Sequence, residues 1–161
     1  MPEATERSCG GCTACCYTHS VKEGTVTTGF YDLCTHCTEG VGCAIYEARP
    51  LSCQVYQCLW RSGGLPDALR PDKSGIILDV WPFEDLGATF LNIWESIPGS
   101  LETETARALI EHFKSTGRYI LWIIRKDEDT LFFPDGVEPD VRAYIEREFS
   151  EGYRTLTKKP E

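Results

Sequence analysis

The sequence predicts an α+β fold in two unlike parts. A cysteine-rich, metal-organised N-terminal segment with little regular structure comes first, followed by a ββαββα part built on an antiparallel sheet. Two observations carry this expectation. All nine cysteines of the 161-residue chain lie in its first 58 residues. Clear hydrophobic patterning begins only after residue 74, where β-branched and aromatic runs alternate with amphipathic stretches.

The elements follow in order. Residues 1–8 are polar and expected to be disordered. Residues 9–62 are rich in Cys, Gly and Thr and bury too little carbon to hold themselves, so metal is expected to organise them. Residues 63–74, within SGGLPDALRPDKSG, carry the Gly, Pro and charged residues of a connecting loop. The α+β part spans 75–152. GIILDVWPF (75–83) and ATFLNIWESI (88–97) are predicted strands. Ser100 is the expected N-cap of a helix whose Glu102 and Glu104 suit the positive end of its dipole. Leu101, Ala108, Leu109 and Phe113 give it an apolar stripe, and Gly117 stops it. RYILWIIRK (118–126) reads as a strand, turned by Lys126, Asp127, Glu128 and Asp129 into TLFFP (130–134). Asp140 to Phe149 reads as a final helix with Val141, Tyr144, Ile145 and Phe149 on one face. Residues 153–161 form a polar tail. Two ββα copies are too few to establish a repeat.

Composition narrows the function. The net charge is -9 and the pI about 4.9. A phosphate backbone would repel such a chain, so no nucleic-acid partner is expected. The acidity lies after residue 62, with 19 acidic and 12 basic residues against 6 and 4 before it. No apolar run reaches the roughly 18 residues of a membrane span, so no membrane partner is expected. The start, MPEATERSC, has no apolar core of a secretory signal, which predicts a cytoplasmic protein. Disulfides are rare there, and an odd number of cysteines precludes complete internal pairing.

The cysteines carry the chemistry. Cys9, Cys12, Cys15 and Cys16 form C-x2-C-x2-C-C, and Cys34 and Cys37 form C-x2-C. Cys43, Cys53 and Cys58 follow. Thiolates are soft ligands suited to zinc, copper(I) and iron–sulfur clusters. Two sulfurs from one tight turn reach the same ion, and several such pairs within 58 residues point to metal rather than to singly buried structural cysteines. In an extended segment Cys15 and Cys16 would point apart. They would then serve two neighbouring centres, or only one would be a ligand. C-x2-C-x2-C resembles the start of a ferredoxin motif and leans slightly to [4Fe-4S]. It departs from that motif in the immediate Cys16. Paired C-x2-C turns favour zinc instead, and copper(I) is a minor third. All nine cysteines are candidate metal residues, some of them bystanders.

Other residues carry weaker cases. His36, inside C-T-H-C, and His19 could be ligands, although a hydrogen-bonded turn histidine is the commoner reading. His112 has no nearby partner in sequence. Arg49 could offset thiolate charge or sit solvated. Tyr17, Tyr46, Tyr56 and Trp60 interleave with the cysteines and would shield the site.

CGGCTACC, then CTHC, then GCAIYEARPLSCQVYQCLW resembles the zinc- or iron-chelating cysteine-cluster family, the CxxCxxCC or YkgJ-like proteins. Gly42 to Cys53 is the most specific piece, and the resemblance covers residues 9–62. It implies that Cys12, Cys15, Cys16, Cys34, Cys43 and Cys53 chelate metal, with Cys9 in the fuller form. Cys37 and Cys58 look like additions that would extend the site. The family is often labelled iron–sulfur oxidoreductase, with no firm substrate. The domain accompanies a protein-lysine methylase in some bacteria, but this chain has no glycine-rich cofactor fingerprint.

Three functions compete. One is a protein holding iron–sulfur or zinc, with a redox component in view. Another is a zinc-stabilised structural module that binds a protein partner. The third is a metal store or delivery protein. No Ser–His–Asp set, phosphate loop or H-E-x-x-H motif supports a hydrolase.

Overall fold

The computed structural model describes residues 7–150. Residues 1–6 of the expected disordered start and the polar tail over 153–161 lie outside them. Arg7 is anchored rather than frayed, its Nη1 donating to the carbonyls of Trp60 at 2.9 Å and Leu65 at 2.6 Å.

The cysteine-rich part is made of short pieces. They are helix α1 (Ala14–Thr18), hairpin β1 (Val21–Glu23) and β2 (Val26–Thr28), hairpin β3 (Cys37–Thr38) and β4 (Gly42–Cys43), and helix α2 (Leu51–Val55). Elements this short are marginal in isolation and depend on tertiary contacts. The expected connecting loop is more ordered than its composition implies. It holds a 3-10 turn over Asp67–Leu69 and helix α3 (Pro71–Ser74). Leu65 and Leu69 are buried, packed with Trp60 against the sheet, so two apolar anchors override the loop-like residues around them.

The second part follows as β5 (Ile76–Phe83), β6 (Ala88–Glu95), α4 (Glu104–Thr116), β7 (Ile120–Ile124), β8 (Asp129–Phe132) and α5 (Pro139–Ser150). The predicted α+β class and ββαββα order are those observed. One detail needs correction. The sheet, ordered β5-β6-β7-β8, is mixed, because its central pair β6–β7 runs parallel while the outer pairs are antiparallel. The cause is α4, which carries the chain back across the sheet and returns it in the same direction.

Alternation along the strands sorts two cores. Ile77, Phe90, Trp94, Ile120, Trp122 and Ile124 face one side, where Ile145 of α5 and Tyr31 of the cysteine segment meet them. Ile76, Leu78, Leu91, Ile93 and Leu121 face the other, with Leu101 and Ala106. Both faces are covered, so β5 to β7 read as nearly continuous apolar runs. Val141, Tyr144, Ile145 and Phe149 share the expected face of α5. In α4 the cap is Thr103, whose side chain accepts from the Ala106 amide; Ser100 sits one short 3-10 turn earlier. Ala106 rather than the exposed Ala108 faces the core, on the stripe that Leu109, Ile110 and Phe113 continue, and the helix starts three residues later than Ser100 would set it.

Gly75 joins the two parts. It has φ +74, and a Cβ there would stand 2.6 Å from Ser100 Cβ and 2.9 Å from Ile97 Cβ. Its carbonyl accepts from the Ser96 amide at 2.8 Å and the Ser100 hydroxyl at 2.7 Å. Gly75→Ala is therefore expected to destabilise the protein by about 2–4 kcal/mol through strain and overpacking, read as a lower urea midpoint. An unchanged midpoint would show that this junction yields. Among the described residues no helix is long and apolar enough to cross a membrane.

Candidate metal centre

The cysteines sit on separate turns that backbone bonds tie together. The Cys12 amide donates to the Cys9 carbonyl at 2.9 Å, and Cys37 to Cys34 at 2.9 Å, so both C-x2-C pairs are tight turns. The first turn presses on the second hairpin. A Cβ on Gly11 would stand 2.6 Å from the Gly40 carbonyl oxygen, so only glycine fits this approach. Cys15 and Cys16 are not on the extended segment assumed from sequence but on α1, where consecutive side chains still diverge by about 100°. The Cys34 amide donates to the Cys16 carbonyl at 3.0 Å, fixing the second turn to α1. Cys37 and Cys43 face each other across β3–β4. Cys53 rides on α2, whose first amides, Leu51 and Ser52, donate to the Glu23 carboxylate at 2.8 and 3.0 Å. These bonds, chiefly those from Ser52, hold the Glu23 carboxyl below its usual range. Beside Cys58, the Leu59 amide donates to the Leu78 carbonyl at 2.7 Å, tying this end to β5.

All nine thiols are free and half-buried. Every one except Cys37 lines a single cavity of about 270 Å³, together with His19, His36, Arg49, Tyr56 and Arg61. Among the described residues no three Cys, His, Asp or Glu side chains stand close enough to hold one ion between them. The sulfurs surround a space instead of meeting at a point.

Five of the thiols, Cys12, Cys16, Cys37, Cys53 and Cys58, are held toward the protonated form. Burial pushes up Cys12, Cys53 and Cys58. Cys37 is pushed up to about 12, by burial first and then by the neighbouring Cys16. Cys16 is raised further, mainly through its hydrogen bond with Cys15 and then through burial. A sulfur that ionised would repel its neighbours, a smaller effect than burial at Cys12, Cys37, Cys53 and Cys58.

A buried carboxylate under the cavity was not singled out from sequence. Asp79 accepts from Asn92 Nδ2 at 2.7 Å, Trp94 Nε1 at 3.0 Å and the Tyr56 hydroxyl at 3.0 Å. His19 Nε2 lies 3.3 Å from it. The other ring nitrogen of His19 is 2.6 Å from the Thr18 hydroxyl. Both nitrogens of His19 are thus engaged, which argues against its service as a ligand. Its ring packs 4.3 Å from that of Trp94 and 4.8 Å from that of Tyr56. Burial, then the Asp79 charge, holds the Tyr56 hydroxyl protonated. The available clue was an Asp on an apolar strand: Asp79 pairs with Asn92 across β5–β6 on the face that meets the cysteine segment.

His36 lines the cavity. His112 lies on the exposed side of α4. Arg49 stacks its guanidinium 3.7 Å from the centre of the Tyr46 ring and donates to the Tyr46 carbonyl, so it is held at the cavity wall. Compared with known proteins, the chain matches no family model, no curated protein and no solved structure.

Proposed function

We propose that this is a metal-binding cysteine-cluster protein, holding iron–sulfur or zinc through thiolates of residues 9–58. The observation that carries this reading is the ring of eight thiols around one cavity, brought there by separate turns and helices. Soft donors fit soft metals. The likeness of residues 9–62 to the cysteine-cluster family, carried by the same cysteines, points the same way.

The C-x2-C-x2-C run leans slightly to iron–sulfur, and the paired C-x2-C turns keep zinc beside it. An iron–sulfur cluster would supply one-electron transfer, whereas zinc would supply fold stability. Tyr56 and His19, tied to Asp79, line the same cavity, as does Arg49.

The test is the visible spectrum of protein purified without oxygen, with metal and acid-labile sulfide measured on the same sample. Iron, matching sulfide and a broad visible band that bleaches reversibly with reductant are the expected result. Zinc without sulfide would replace the redox reading with a structural or protein-binding one. No bound metal would overturn both.

A further inference from the structure

Resting on that reading, we propose that Arg61 is the fixed cation of the cavity, its guanidinium offsetting the negative charge of a thiolate-held metal. It is a positioning residue, acting on the bound group through charge and hydrogen bonds rather than as a ligand.

The turn that carries Arg61 has little freedom. The Ser62 amide donates to the Cys58 carbonyl at 3.1 Å, and the Gly64 amide to the Leu59 carbonyl at 2.8 Å. The Leu59 amide donates to the Leu78 carbonyl at 2.7 Å, which fixes the turn to β5. Arg61 Nη1 donates to the Tyr56 carbonyl at 3.3 Å, so the side chain is held back toward the cavity that both residues line.

One donor on this side chain is left over. Arg61 Nε is sealed from solvent without an acceptor, and Arg61 makes no ion pair among the described residues. A guanidinium keeps its charge at any working pH. Half-buried without a counter-ion, it costs free energy that an anion in the cavity would recover. A centre held by thiolates alone is such an anion, since a zinc ion with four of them carries a net charge of about -2. Hydrogen bonds to sulfur also help to set the potential of an iron–sulfur cluster. The orphaned donor therefore fits either metal. Arg49, the cation that the sequence singled out, is less suited. Its guanidinium is stacked on Tyr46 and donates to the Tyr46 carbonyl at 2.9 Å. Of the two arginines that line the cavity, Arg61 has the buried donor to spare.

The experiment uses the full chain, stripped of metal, reduced, loaded anaerobically with zinc(II) and titrated with a competing chelator. Arg61→Gln is expected to hold zinc about 10–100-fold more weakly than wild type, the usual loss when a group supporting metal ligands is removed. Arg61→Lys keeps the charge and is expected to bind more tightly than Arg61→Gln. The metal-free Arg61→Gln protein is expected to unfold at a urea midpoint close to that of wild type, because the cation has no counter-ion to lose there. Zinc affinity of Arg61→Gln within about twofold of wild type would overturn the proposal. So would Lys binding no better than Gln, or a metal-free midpoint that falls as far as the loaded one, since the residue would then be structural. Should Arg61→Gln fail to fold, phenylglyoxal labelling of wild type decides the matter. Slower labelling of Arg61 when zinc is bound supports the proposal, and an unchanged rate refutes it. A wild type that holds no metal overturns the metal reading and this proposal together. A wild type that holds metal with Arg61 indifferent overturns this proposal alone.

Discussion

Asp79→Ala is expected to lower stability by about 3–5 kcal/mol, although Asp79 touches no sulfur. The carboxylate is buried and is the shared acceptor of Asn92, Trp94 and Tyr56, with His19 beside it. Removing one member of a buried charged network costs about that much, since each donor left without a partner loses roughly 1–3 kcal/mol, in a non-additive way. Two of those partners, Asn92 and Trp94, belong to β6, while Tyr56 and His19 belong to the cysteine segment. The substitution therefore cuts the joint between the parts. Urea unfolding would show a lower midpoint, and the variant would bind metal more weakly because Tyr56 and His19 wall the cavity. Asp79→Asn keeps the shape and one acceptor oxygen, and its loss should fall between wild type and Ala. A change below about 1 kcal/mol for Asp79→Ala would mean that the network contributes little to holding the parts together.

Much of the second part was legible because alternation and helical period are local properties. The strand runs at 76–83 and 88–95 lie within a residue or two of those predicted, and α5 presents Val141, Tyr144, Ile145 and Phe149 as expected. Strand direction was not legible. Whether β7 runs parallel or antiparallel to β6 depends on where α4 delivers it, and no residue of β7 encodes that. The N-cap was misplaced for a related reason: Ser100 and Thr103 are both good caps, and the 3-10 turn that separates them is set by Gly99 and the Glu95 carboxylate, which accepts from the Gly99 amide at 3.0 Å. In the cysteine segment the spacings pointed to tight turns at Cys9–Cys12 and Cys34–Cys37. They did not reveal Asp79, which lies 60 residues from His19 in the chain. Long-range polar contacts leave only a weak trace in sequence, here a charged residue out of place in an apolar strand.

The metal-free and metal-loaded proteins are expected to fail at opposite ends of the pH scale. In the metal-free fold Cys12, Cys53 and Cys58 lie above the ordinary thiol value of 9.0, and Cys37 lies at about 12, all raised first by burial. The unfolded chain ionises its thiols near 9.0, so above that pH it binds fewer protons than the folded chain. Stability then falls as pH rises. The stabilising contribution of these groups is present in full below pH 9.0 and is lost progressively toward the raised values, up to about 12 for Cys37. A bound cation reverses the preference, because it needs the thiolate. The loaded protein should hold its structure through alkaline pH and instead release metal on acidification, as protons displace it from sulfur. The raised proton affinity of these thiols means release at a higher pH than an unperturbed set would show. Near-ultraviolet circular dichroism reads both failures, since Tyr17, Tyr56 and Trp94 pack around or beneath the cysteine segment. If both forms lost structure at the same alkaline pH, the thiols would not be acting as ligands. An opposite pair of limits would tie the stability of the cysteine segment to metal by a measurement that needs no knowledge of substrate or partner.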